Sequence, residues 1–154
     1  MTPFYIPPDI EFALTRLNVC CGPASFAAIT GLPVCNVLRY FVGYPQKQHT
    51  NLMSMRDALI LSGQSWADRK DKTFPNVGLA WLEPTGPWEG QKLGFFKALR
   101  HSHWIGLYKE HVFDVNECRW FDIQNWEESV ATKWIAACPN ATGWKIRSSL
   151  EIFG

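Results

Sequence analysis

The chain is expected to fold as an α+β protein, and three features of the sequence say so. Helical patterns occupy most of the first half, strand patterns dominate the second, and the punctuation between them is Pro- and Gly-rich loop. Hydrophobic residues make up 47% of the 154, with eight Trp, ten Phe and four Tyr, enough apolar area for a continuous core in one domain spanning 1–154.

Taken in order, residues 1–18 read as an irregular segment, because Pro3, Pro7 and Pro8 oppose an early helix. Residues 23–30 read as a short helix, apolar nearly all round and closed by Gly31 and Pro33, a pattern that implies burial. Further helices are expected over 33–41 and 52–61, then a polar loop over 68–75. Val77 to Leu82 has the length and composition of a buried strand. Pro84, Gly86, Pro87 and Gly90 mark 83–90 as a loop, followed by a helix over 91–100. Residues 103–108 and 111–116 flank Lys109 and Glu110 as an antiparallel hairpin, and 144–153 is a final strand.

Composition narrows the function. Fifteen basic and fourteen acidic residues give a net charge of +1, which is not the footprint of a nucleic-acid binder. The first ten residues lack the basic and apolar regions of a signal peptide, and no apolar run approaches the length of a membrane span. A cytoplasmic protein without membrane attachment is expected. The five cysteines, Cys20, Cys21, Cys35, Cys118 and Cys138, are odd in number and lack the spacing of a disulfide framework or structural zinc site. They are expected to be reduced.

The chemistry begins at Cys20-Cys21-Gly22-Pro23-Ala24-Ser25. Proline suits the first position of a helix, so Pro23 is expected to place Cys21 just before the helix start, where unpaired N–H groups and the positive dipole end converge. A thiol there is expected to titrate low, and the same N–H groups can receive a developing oxyanion. Gly22 is expected to let a substrate approach closely. The alternative is a buried, inert thiol ahead of a core helix.

The second half of the pattern is His103-Trp104-Ile105-Gly106-Leu107 and Val112-Phe113-Asp114-Val115-Asn116. With a two-residue turn at Lys109-Glu110, Tyr108 faces His111, and counting back sets His103 opposite Asn116 and Ile105 opposite Asp114. His103, Asp114 and Asn116 then share a face. Opposite Cβ atoms lie about 5 Å apart and diagonal ones about 7–8 Å, so either polar side chain is in reach of the imidazole. A nucleophile, a base and an orienting group are thereby accounted for.

At these residues the sequence resembles the papain-like cysteine peptidases, especially small forms in which Cys-Gly-Pro-Ala opens the central helix, such as bacteriocin-leader peptidase domains and phage or viral thiol proteases. The resemblance implies a central helix carrying the Cys against an antiparallel sheet carrying the His. It also implies Cys21 as nucleophile, His103 as general base and acid, and Asp114 or Asn116 as third residue. Its reaction is acyl transfer from an amide or isopeptide of a protein or peptide substrate, without metal or organic cofactor; transferases and deamidases use the same triad. A phage origin would make the location a host cytoplasm. Such enzymes carry a glutamine about six residues before the nucleophile. Here that position is Thr15, and no Gln precedes Cys21. Arg16 and Asn18 are the remaining oxyanion-donor candidates. The chief alternative is a degenerate, non-enzymatic interaction protein on the same fold.

Other residues are weighed against blander roles. His101, His103, His111 and Cys118 offer zinc-ligand chemistry, but the hairpin register turns His111 to the opposite face from His103, so a metal site is not expected. Most of the tryptophans read as core. Trp88, in the Pro/Gly loop, is a candidate for the rim of a substrate groove, and His49 reads as solvated. With Cys21 so near the start, control is expected from substrate choice or a partner.

Overall fold

The computed structural model describes residues 3–46 and 49–154. The N-terminal segment is not irregular throughout, because Ile10–Arg16 forms helix α1. Proline is excluded from a helix interior but not from the residues ahead of it. Ile10, Ala13, Leu14 and Leu17 recur at helical spacing and pack into the core. Asp9, just before α1, accepts hydrogen bonds from the N–H groups of Val34 (2.8 Å) and Cys35 (2.9 Å), so it holds the start of the third helix.

Helix α2, Cys21–Thr30, is buried from Gly22 to Ile29 and stops at Gly31, whose φ of 76° suits glycine. The expected helix over 33–41 is split into α3, Val34–Val37, and a tighter turn, Leu38–Tyr40. Helix α4, Leu52–Leu61, is closed by a reciprocal cap in which Asn51 Oδ1 accepts from Ser54 N–H (2.8 Å) and Ser54 Oγ accepts from Asn51 N–H (2.9 Å).

Among the described residues, six strands form one antiparallel sheet: β1 Ser65–Asp68, β2 Val77–Thr85, β3 His103–Tyr108, β4 His111–Asp114, β5 Arg119–Asp122 and β6 Gly143–Phe153, in the order β1-β6-β2-β3-β4-β5. β2 runs on into the expected loop at 83–90. Pro84 pairs with Trp144 of β6 but lies past Leu82, where pairing with β3 ends, so its missing N–H interrupts no ladder on that side. Helix α5, Gly94–Arg100, starts later than expected because Leu93 adopts a φ of 67°. The hairpin register is the one expected, with Tyr108 facing His111 and Gly106 facing Phe113, but β4 ends at Asp114 and not at residue 116.

After β5 the chain turns helical again through α6, Ile123–Asn125, a wide π-type turn at Trp126–Ala131, and α7, Thr132–Ala137. This helix, with β1 and β5, is absent from the expectations above. Alternation along the strands gives each face of the sheet its own core. Leu79, Trp81, Trp104, Phe113 and Leu150 meet α2 and α4, whereas Ala80, Leu82, Ile105, Leu107 and Val112 meet Trp126, Val130 and Ala131.

Helix α2 docks on β3 closely. A Cβ on Gly106 would lie 2.8 Å from Ile29 Cγ2, so glycine sets the approach of helix to strand. Because β4 joins β3 only from Gly106 onward, the strand backbone before that point has no β4 partner. Helix α2 supplies one: Trp104 N–H donates to Cys21 Sγ at 3.3 Å, and Ser25 Oγ donates to Trp104 O at 3.1 Å. Gly106→Ala is therefore expected to lower stability by about 1–3 kcal/mol through overpacking, read as a lower urea midpoint. An unchanged midpoint would mean that α2 can retreat from the sheet.

Candidate active site

Three elements converge at the start of β3. Cys21 opens α2, His103 opens β3 and Asp114 closes β4. The His103 Nε2–H donates to Asp114 Oδ1 at 2.8 Å. Asp114 is 1% exposed, and its carboxylate also accepts from Asn116 N–H (2.9 Å) and Trp126 Nε1–H (2.8 Å). Burial alone would raise its pKa. The neighbouring imidazole and these hydrogen bonds outweigh burial and hold it below the usual carboxylate value. An ionised Asp114 fixes the Nε2–H tautomer of a neutral ring and leaves the Nδ1 lone pair as its base.

The pair lies on the sheet face covered by the 123–137 helix. Trp134 sits over the imidazole, with ring centroids 5.6 Å apart, and its Nε1–H donates to His101 O at 3.1 Å. The Cys21 sulphur comes to the same strand end from the α2 face, held by the N–H of the residue next to His103. Both cysteines open onto a cleft of about 310 Å³ whose walls include Thr50, Asn51, Trp81 and Trp104. Trp81 and Trp104 stack with centroids 5.4 Å apart, and Trp104 Nε1–H donates to Thr50 O at 2.8 Å.

The structure chooses between some of the expected roles and changes others. Asp114, not Asn116, meets the imidazole, because the β3–β4 ladder stops at Phe113 and leaves Asn116 exposed, with only its backbone N–H turned to Asp114. Arg16 and Asn18 are exposed at the C-terminal end of α1, and neither lines the cleft of the cysteines. Gly22 does make room, but for Thr50, since a Cβ there would lie 2.3 Å from Thr50 Oγ1. Trp88 is buried against Gly86 and lines a different cleft, beside Glu83, Lys145 and Arg147. His49 is exposed, as expected, yet lines the cysteine cleft. Among the described residues no three His, Cys, Asp or Glu side chains are gathered as for a metal ion.

The thiol electrostatics also differ from expectation. Cys21 is pushed above the ordinary thiol value by its hydrogen bond to Cys20 and by burial. Cys20 is pulled down to about 6, chiefly because the Cys21 S–H stabilises its thiolate, with help from Gly22 N–H, Thr50 and the charge of His49. Two adjacent thiols sharing a hydrogen bond lose the first proton easily and resist losing the second. Cys35, Cys118 and Cys138 all lie above the ordinary value, Cys35 through its bond to Asp9 and the other two mainly through burial.

Sequence reasoning did not find Trp126, Trp134, Thr50 or Asn51. The tryptophans were within reach, since Ile123, Trp126, Val130 and Trp134 recur at helical spacing behind an N-capping Asp122.

Iodoacetamide labelling read by peptide mapping should modify Cys20 with a midpoint near pH 6, and Cys21, Cys35, Cys118 and Cys138 only above about pH 8.5. Cys21→Ala removes the S–H that favours the Cys20 thiolate, so the Cys20 midpoint should rise. A low midpoint on Cys21 would reverse the assignment. Asp114, with its lowered pKa, contributes stability that is present above the unfolded value of about 3.9 and lost as pH falls through the folded value. Trp126→Phe should cost about 1.5–3 kcal/mol at pH 7, and the gap in urea stability from wild type should narrow toward pH 3. A gap independent of pH would mean that Trp126 contributes packing alone. No protein-family model matches the chain and no curated protein matches its sequence, so its function is to be read from this geometry.

Proposed function

We propose that the protein is a papain-like thiol hydrolase that transfers the acyl group of a protein or peptide amide or isopeptide to water through a thioester on Cys21. The Asp114 to His103 hydrogen bond, at the strand end where the Cys21 sulphur is held, carries this reading. His103 Nδ1 takes the thiol proton as Sγ adds to the carbonyl carbon, and the carbonyl π pair moves to oxygen. Collapse restores the C=O and expels the amine, which takes that proton from His103. Water then adds to the thioester with His103 again as base, and the carboxylic acid leaves Cys21 as a thiol.

A raised Cys21 pKa suits this order of events, in which the proton leaves during attack and not beforehand. Asp114 keeps the ring in the tautomer that accepts at Nδ1 and stabilises the imidazolium that forms. One observation favours a second reading: Cys20, and not Cys21, is the thiol held near 6, beside Thr50 and in the field of His49. On that reading Cys20 is the nucleophile and Cys21 its hydrogen-bond donor.

Release of p-nitrophenol from p-nitrophenyl acetate separates the two. Cys21→Ser keeps an acceptor for Trp104 N–H and is expected to abolish the acylation burst, whereas Cys20→Ser should keep most of it. His103→Ala should slow acylation by roughly 100- to 10,000-fold. The reverse pattern for the two cysteines would transfer the role to Cys20, and a wild type without a burst would leave an interaction module on this fold as the account.

A further inference from the structure

The thiol mechanism above requires a donor for the carbonyl oxygen as it becomes an oxyanion, and neither Arg16 nor Asn18 lines the cleft where the cysteines open. A single backbone N–H at the start of α2 is insufficient on its own for strong stabilisation, because such sites gain most from two converging donors. Pro23 has no N–H, Ala24 N–H is committed to Cys20 O at 3.5 Å, and Gly22 N–H serves the Cys20 sulphur. Cys21 N–H is what the helix end has left to offer.

Asn51 lines the same cleft as Cys20 and Cys21. Its Oδ1 is fixed by the α4 cap, accepting from Ser54 N–H at 2.8 Å and from Ser54 Oγ at 3.1 Å. The carboxamide orientation is thereby set, since the backbone N–H demands oxygen on that side. Its Nδ2 group is consequently the opposite end of a clamped amide, and it has no hydrogen-bond partner among the described residues. The residue before it is anchored too: Thr50 O accepts from the buried Trp104 indole, and the Thr50 side chain rests on Gly22 at the start of α2. The backbone path into Asn51 is thus tied to both elements that carry the proposed nucleophile and base.

We infer that Asn51 is the side-chain oxyanion donor of this site, acting with Cys21 N–H. This rests on the acyl-transfer reading above. As Cys21 Sγ bonds to the carbonyl carbon and the π pair moves to oxygen, Asn51 Nδ2–H donates to that oxygen; the donor keeps its proton, and the interaction weakens when the C=O re-forms. The amide reaches the cleft from the loop before α4, on the far side of the sequence from where an upstream glutamine would stand.

The test uses full-length protein with two reagents: p-nitrophenyl acetate, whose attack creates an oxyanion, and iodoacetamide, whose displacement at a saturated carbon creates none. Asn51→Ser and Asn51→Asp both keep a good helix cap and remove the amide donor. Acylation of Cys21 is expected to fall roughly 100- to 1,000-fold in both, while alkylation of Cys21 in Asn51→Ser stays within about twofold of wild type and its thermal midpoint is retained. Wild-type acylation with an equal rate in Asn51→Ser would overturn this inference alone. Acylation and alkylation falling in proportion would overturn it too, by showing a disturbed thiol. A wild type that alkylates at Cys21 but is never acylated would overturn the acyl-transfer reading, and this inference with it.

Discussion

The peptide groups of Trp104 are what the rest of the site hangs on. β4 arrives too late to pair with this part of β3, and a buried strand backbone without partners is costly, at about 1–3 kcal/mol for each orphaned group. Cys21 and Ser25, one helical turn apart on α2, meet the N–H and the C=O of the same residue. A helix thus does for two peptide groups what a neighbouring strand does elsewhere in the sheet. Gly106 permits the closeness, and the Trp104 indole extends the arrangement to Thr50. The position of the Cys21 sulphur is consequently a by-product of satisfying the strand.

The charge in the site is arranged around one buried carboxylate. Asp114 would be unfavourable at 1% exposure without compensation, and it receives hydrogen bonds from three directions, the imidazole, the Trp126 indole and a backbone N–H. A carboxylate so enclosed has little freedom to rotate, and the histidine inherits that rigidity. The two thiols follow a different logic. Each is the chief influence on the other, so the electrostatic gain of one is the loss of the other.

Much of this was legible in the sequence where local rules apply. The all-apolar stretch after Pro23 could only be a buried helix, and the Lys109-Glu110 turn fixed the hairpin register through Tyr108 and His111. The distinction between Asp114 and Asn116 was not local, because it depends on where β4 leaves β3 and turns to pair with β5. α1 was hidden by prolines whose effect stops at the residue they precede. The role of Trp126 was hidden by composition: among eight tryptophans, nothing in its neighbours says that its N–H faces a carboxylate. Asn51, the residue before the expected helix over 52–61, drew no notice in the sequence, and its place beside the cysteines appears only once Thr50 is known to lie on Gly22.

The wide turn at Trp126–Ala131 decides which way the two tryptophans look. Eight residues along a regular α-helix rotate a side chain to about 80° from its starting direction, which would aim Trp126 and Trp134 at different surroundings. A π-type turn absorbs one residue, and seven effective steps return the second side chain to within about 20° of the first. One indole therefore reaches the carboxylate and the other roofs the imidazole from the same helix face. The covering of this dyad is in that sense a matter of counting: the same residues wound as a regular α-helix, without the wide turn, would leave a sound helix and a sound sheet but turn the Trp134 side chain by about 100° from its place over the imidazole.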